Sequence, residues 1–104
     1  MYTAIILPLA QQDIKEAAYW YNQRKKGLGK RFTQQIRQKI NFLKTAPYVT
    51  AVRYDDVRTA IPDVFPYMIH YTIDKSAKLI IITAVLHTSR NPDLWEADRE
   101  NPDL

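Results

Sequence analysis

Cysteine is absent from this chain of 104 residues, which excludes disulfide staples, thiolate nucleophiles and zinc sites built on sulfur. A reducing setting suits such a chain, and we expect it in the cytoplasm. Glycine is nearly absent as well. Gly27 and Gly29 are the whole complement, so no glycine-rich phosphate loop is available, and there is no serine elbow. Long apolar runs are missing too. Ala4 to Leu9 is short, lacks a basic lead and contains Pro8, so we expect neither a signal peptide nor a membrane-spanning helix. Acidic residues are missing from Ala17 to Tyr54, where Arg24, Lys25, Lys26, Lys30, Arg31, Arg37, Lys39, Lys44 and Arg53 all fall.

The net charge of +4 therefore hides a strongly basic half. From Asp93 the balance reverses, with Asp93, Glu96, Asp98, Glu100 and Asp103 against Arg99 alone. A basic field of this kind steers RNA, DNA or an acidic protein toward it without naming which. The length suits one domain over 1–104, with an acidic C-terminal tail from about residue 96. Asn91-Pro92-Asp93-Leu94 returns as Asn101-Pro102-Asp103-Leu104, a repeat too short for a solenoid.

Helical spacing comes early and alternation late. Tyr2 to Leu7 reads as a strand, and Pro8 suits the first turn of a helix. Ala10, Ile14, Ala17 and Tyr21 recur at helical spacing, Arg24 to Lys26 favour a helix C-terminus, and Gly27 is a left-handed stop. A second stripe of Leu28, Phe32, Ile36, Ile40 and Leu43 ends at Ala46-Pro47. Two helices joined so tightly run antiparallel. The period then becomes two. Val52 to Tyr54 and Arg58 to Ile61 read as short strands, and Tyr67, Ile69, Tyr71 and Ile73 alternate with Met68, His70 and Thr72. After a turn at Asp74 to Lys78, Leu79 to Leu86 returns as the most apolar strand. The class is α+β, β-α-α-β-β-β, with a helical hairpin on one face of a small antiparallel sheet. The other face is expected to be a partly exposed groove carrying Met68, His70 and Arg58.

The candidates for chemistry are few. Two histidines invite a ribonuclease reading, one as base and one as acid, with Arg58 or Arg90 stabilising the phosphate charge. Pairing Ile73 with Ile80 places His87 opposite Phe65 or Pro66, about 14 to 17 Å from His70, too far to share a phosphate. Asp55, Asp56 and Asp63 fall in turns without metal-ligand spacing, so no metal and no cofactor are expected. Tyr19, Trp20 and Tyr21 cannot all face the core of one helix. Tyr21 belongs to the apolar stripe, and Tyr19 or Trp20 is left near the surface, either covering the edge of the hairpin or forming a contact site. Trp95 either folds back as a core plug or stands as an anchor for a partner.

The ordered set Ala10-Gln11-Gln12-Asp13-Ile14, Trp20-Tyr21, Leu28-Gly29-Lys30-Arg31-Phe32, Ile40 to Pro47, Val57-Arg58, Phe65-Pro66-Tyr67 to Tyr71, and Val85-Leu86-His87 with Arg90, Pro92 and Trp95 resembles the RelE/ParE superfamily of toxins from type II toxin-antitoxin modules, also called plasmid stabilisation proteins. The resemblance covers nearly the whole chain. It implies the fold reasoned above, a cognate antitoxin that wraps the toxin, and growth inhibition when that partner is lost. RelE-like members are metal-independent ribonucleases that cut mRNA on the ribosome; ParE-like members bind and inhibit DNA gyrase. RelE carries an arginine in the strand after the Pro-Tyr pair, where this chain has Met68, and the late tyrosine is replaced by Trp95. These departures favour the ParE-like reading, closer to ParE than to RelE. In that reading Arg58, Met68, His70, His87, Arg90 and Trp95 contact a partner, and Arg24, Lys25, Lys26, Lys30, Arg31 and Arg37 form a basic surface. A ribosome-dependent mRNA endoribonuclease using Arg58, His87 and Arg90 is the alternative. A basic RNA-binding module, with Tyr67 or Tyr71 exposed for stacking, is a third.

Overall fold

A computed structural model describes residues 1–89. Strand β1 (Thr3–Ile6) leads into α1 (Pro8–Arg24), α2 (Leu28–Thr45), then β2 (Val52–Tyr54), β3 (Val57–Ala60), β4 (Tyr67–Asp74) and β5 (Leu79–His87). The five strands form one sheet in the order β1-β5-β4-β3-β2. It is antiparallel from β2 through β5, as expected, but β1 joins the edge parallel to β5. The helical hairpin and the three strands β2 to β4 separate β1 from β5 in the chain, and β5, antiparallel to β4, runs alongside β1 in the same direction. The sheet is thus mixed, and its element order and one-sided helical layer are those read from the sequence.

Each helix boundary has a local cause. Pro8 takes the first position of α1, where its missing N–H costs nothing. The turn to α2 depends on both glycines. Gly27 has φ +87, a left-handed conformation that costs other residues roughly 1–2 kcal/mol. Gly29 lies against α1 so closely that a Cβ there would overlap the Ala18 carbonyl oxygen. Asn22 completes the turn, its Oδ1 accepting from the Gly27 and Gly29 amides at 3.0 and 3.2 Å. The α2 stripe is buried as its spacing requires, at Phe32, Ile36, Ile40 and Leu43.

An aromatic cluster ties the hairpin to the start of β4. The Phe32 ring lies 5.4, 5.2 and 5.0 Å from those of Tyr21, Phe65 and Tyr67. Such pairs contribute about 0.5–1.5 kcal/mol each beyond the area they bury. A polar tie holds the opposite end. The buried Tyr71 hydroxyl donates to Pro47 O at 2.8 Å and accepts from Thr50 Oγ1 at 2.7 Å. The Arg58 guanidinium donates to Thr50 O and lies over the Tyr48 ring, so it fastens the 46–51 loop to β3.

Three outcomes are expected. Gly29→Ala should lower stability to urea unfolding by about 1–3 kcal/mol, because overpacking outweighs the helix propensity gained. Gly27→Asn should be nearly neutral, since asparagine tolerates the left-handed region. Burial pushes the Tyr71 phenol up from its ordinary value of 10.0, against the smaller lowering effects of Thr50 and Arg58. Below that value folded and unfolded chains both hold the proton and stability is intact. Above it only the unfolded chain releases the proton, so stability falls as pH rises from 10 toward the folded value. Tyr71→Phe should lose about 1–2 kcal/mol at neutral pH through the missing hydrogen bonds and show a shallower alkaline decline in the same measurement.

Candidate functional site

The register of β5 determines what the open end of the sheet presents. His70 pairs with Ala84 but Tyr71 pairs with Ile82, so Thr83 is an extra residue in β5. Its hydroxyl donates to His70 O at 3.3 Å. Such a bulge shifts the alternation by one. Ile80 and Ile82 face the helices before it and Val85 does so after it, while Ala84 and Leu86 join Met68 on the other side. His87 therefore emerges on the helix side, opposite Tyr67, with the two rings 5.3 Å apart and nearly perpendicular.

Pairing with β1 stops at Ile82, and α1 packs against β5 beyond that point. There Asp13 Oδ2 accepts the Val85 N–H at 3.0 Å. The carboxylate satisfies an edge donor that no strand reaches. Between α1 and the ends of β4 and β5 lies an open cavity of about 510 Å³, lined by Asp13, Glu16, Ala17, Trp20, Tyr21, Pro66, Tyr67, Val85, Leu86 and His87. Its walls are mostly aromatic and aliphatic, with two carboxylates on the α1 side.

The tautomer of the neutral His87 ring follows from its contacts. The Ser89 backbone N–H donates to Nδ1 at 3.0 Å, and Ser89 Oγ lies 2.7 Å from the same atom. Nδ1 is therefore an acceptor, and the neutral ring carries its proton on Nε2. His87 thus offers a hydrogen-bond donor at the cavity mouth. Trp20 is about half exposed beside it, with the Arg24 guanidinium 4.2 Å above its ring. That contact joins the cavity to the basic hairpin, where Arg24, Lys25, Lys26, Lys30, Arg31 and Arg37 are all exposed. Lys30 and Arg31 sit in the first turn of α2, which contains no acidic residue. Helix dipole and side chains there have the same sign, so the hairpin tip carries a strong positive field.

The other sequence candidates are placed differently. The groove expected on the far face of the sheet is not formed by Met68 and His70. Met68 packs with Ala84, Leu86 and Tyr54, and His70 is wholly buried with Nδ1 3.0 Å from the Tyr54 hydroxyl. The β2–β3 hairpin brings Tyr54 over that face and closes it. His87 pairs with Tyr67 rather than with Phe65 or Pro66, so it lies only three positions, about 10 Å, along the sheet from His70. Opposite faces keep the two histidines apart instead. Arg58 pairs with Tyr71, and His87 with Tyr67; Arg58 is four positions and two strands from His87, about 17 Å away. Arg90 and Trp95 lie outside the described residues. Tyr71 is buried and Tyr67 is half-buried against Phe32, which removes the stacking platform that the RNA-binding reading needs.

Asp13 is a site residue that the sequence reading did not single out, while Trp20 entered it as a surface aromatic and Tyr67 as a stacking residue of the RNA-binding alternative. Asp13, Ala17, Trp20 and Arg24 do recur at helical spacing beside the apolar stripe, and that second stripe was the available signal. Among the described residues no group of three His, Asp or Glu side chains could hold a metal, and no helix is long and apolar enough to cross a membrane.

Residues 4–92 match the family described as ParE toxin of type II toxin-antitoxin system, parDE. No curated protein sequence matches. A solved chain from the chromosomal ParDE TA system of P. aeruginosa superposes with a TM-score of 0.73 at 17% identity, over 86% of this chain and 98% of that one. The isolated E. coli RelE toxin superposes with a TM-score of 0.64 at 14% identity, over 96% and 98%. At these identities the likeness is one of fold. The matched span, most of the chain and inclusive of the hairpin, the bulged strand and His87, shows that the protein belongs to the ParE toxin family of type II toxin-antitoxin systems, within the RelE/ParE superfamily and closer to ParE.

Proposed function

We propose that this chain inhibits DNA gyrase by binding it, and that a cognate antitoxin neutralises it by seating an apolar segment in the Trp20–Tyr67–His87 cavity. The observation that carries the reading is the separation, among the described residues, of His87 from Arg58. The histidine's cavity also contains Asp13 and Glu16, whose field disfavours a phosphodiester. Arg58 is engaged with Thr50 and Tyr48 on another part of the sheet. The cations gather instead on the hairpin, outside the cavity, where they can steer an acidic macromolecular surface. A binding inhibitor needs such a surface and no turnover. The hairpin and the segment from His87 to Trp95 make the gyrase contact in this reading, and the chain acts in the cytoplasm. The antitoxin would cover Trp20 and restrain the same region.

Purified protein added to a gyrase supercoiling reaction should stop it, and added to ribosomes translating a defined mRNA should leave the message intact. Cleavage of the mRNA with supercoiling unaffected would overturn the reading in favour of a ribosome-dependent ribonuclease. The triple variant R24E/K25E/K26E should weaken gyrase inhibition at least about tenfold, equivalent to 1.4 kcal/mol, with a reduced dependence on salt. Trp20→Ala should weaken capture by the co-expressed antitoxin, measured by titration of the purified partner.

A further inference from the structure

A second apolar surface lies where α2 meets the β2–β3 hairpin. Phe42, Val49 and Ile61 are 48%, 58% and 48% exposed and line one depression of about 320 Å³, with the buried Met68 in its wall. Lys39 and Arg53 stand on the same rim, and Lys39 Nζ lies 5.4 Å from the Phe42 ring centroid. An adjoining depression shares Lys39 and Phe42 and adds Pro62 and Asp63. Asp63 is the one carboxylate among the residues lining the two. Large apolar groups gathered in water beside two cations and a single carboxylate mark a surface suited to something acidic and apolar.

The chain contains a segment of that chemistry. The family match stops at residue 92, and beyond it Leu94 and Trp95 are followed by Glu96, Asp98, Glu100 and Asp103, with Arg99 the one cation. We infer that residues 93–104 dock in cis on the Phe42–Ile61 face, Trp95 entering the depression and the carboxylates meeting Lys39 and Arg53. The cavity of His87 is the less suitable place, since Asp13 and Glu16 stand on it and repel an acidic segment. Reach is sufficient. Thr88 N donates to Pro66 O at 2.9 Å, which anchors the departing chain two residues from Met68. The seven residues from there to Trp95 can span up to about 24 Å. Tethering also raises the local concentration of the segment to roughly millimolar, so a weak contact is populated. The docked segment would neutralise part of the basic half and compete with any acidic partner for it.

The test uses the full chain and needs neither gyrase nor antitoxin, so its outcome is independent of the function proposed above. The chain has two tryptophans, and Trp20→Phe leaves Trp95 as the sole emitter. In that background Trp95 should emit at shorter wavelength than in the denatured chain and be shielded from acrylamide. The shielding should be lost in K39E/R53E, in F42S, and at about 1 M salt, where the Debye length is about 3 Å. Adding E96K/D98K to K39E/R53E should restore it. Residues 42 and 53 are exposed, and circular dichroism checks that each variant folds. The salt arm needs no substitution at the docking face. Shielding that survives K39E/R53E, F42S and salt would overturn the proposal. So would shielding that grows with protein concentration, which means a second copy, or that is lost on substituting Tyr67 or Val85, which means the other cavity.

Discussion

Thr83 has no register partner in β4, and the side of the sheet on which Val85 and His87 emerge follows from that one extra residue. Strict alternation from Ile80 and Ile82 would bring Ala84 and Leu86 to the helix side and send Val85 and His87 to the other. The extra residue reverses the assignment, so Val85 enters the core and His87 reaches the ring of Tyr67. The bulge also lies just past the point where β1 ends, which leaves the β5 edge to be satisfied by Asp13 from α1. Strand register and helix position are thus coupled through one carboxylate.

That coupling works only if α1 is held in place. The glycine pair and Asn22 bring α2 tightly against α1, and the rings of Tyr21, Phe32, Phe65 and Tyr67 lock both helices to the start of β4. The cavity is formed by what this clamp leaves uncovered: Trp20 and the two α1 carboxylates on one side, Tyr67 and His87 on the other. At the far end of the sheet Arg58 and Tyr71 secure the 46–51 loop. Arg58 thereby serves the loop in the structure, even though a cation on a strand next to a histidine-bearing one looks in sequence like part of a phosphate site.

Charge is partitioned as sharply as packing. The acid-free span from Ala17 to Tyr54 folds into the end of α1, all of α2 and the following loop and strand, while the carboxylates of Asp13 and Glu16 are brought beside His87. Among the described residues a histidine therefore stands in an acidic, apolar cavity, and Arg58 lies elsewhere on the sheet. A binding toxin can use that separation, whereas phosphoryl chemistry needs cation and base together.

Most of the secondary structure was legible in the sequence because local physics dictates it: four-residue spacing in α2, Pro8 and Ala46-Pro47 at helix ends, period two from Tyr67 to Ile73, and a left-handed Gly27. The family resemblance rested on the same ordered residues. The site was legible only in part. Burial of Met68 and His70 depended on Tyr54 arriving from another strand, and the pairing of His87 depended on a bulge, because two strands with correct alternation do not reveal that one contains an extra residue. The sequence determined the elements, their order and the basic span, since propensity and charge are properties of neighbours along the chain. Only the tertiary structure decided the parallel edge of β1, the face of His87 and its acidic company, because contacts between Asp13 and Val85, or Tyr54 and His70, join residues far apart in the chain whose meeting no local spacing encodes.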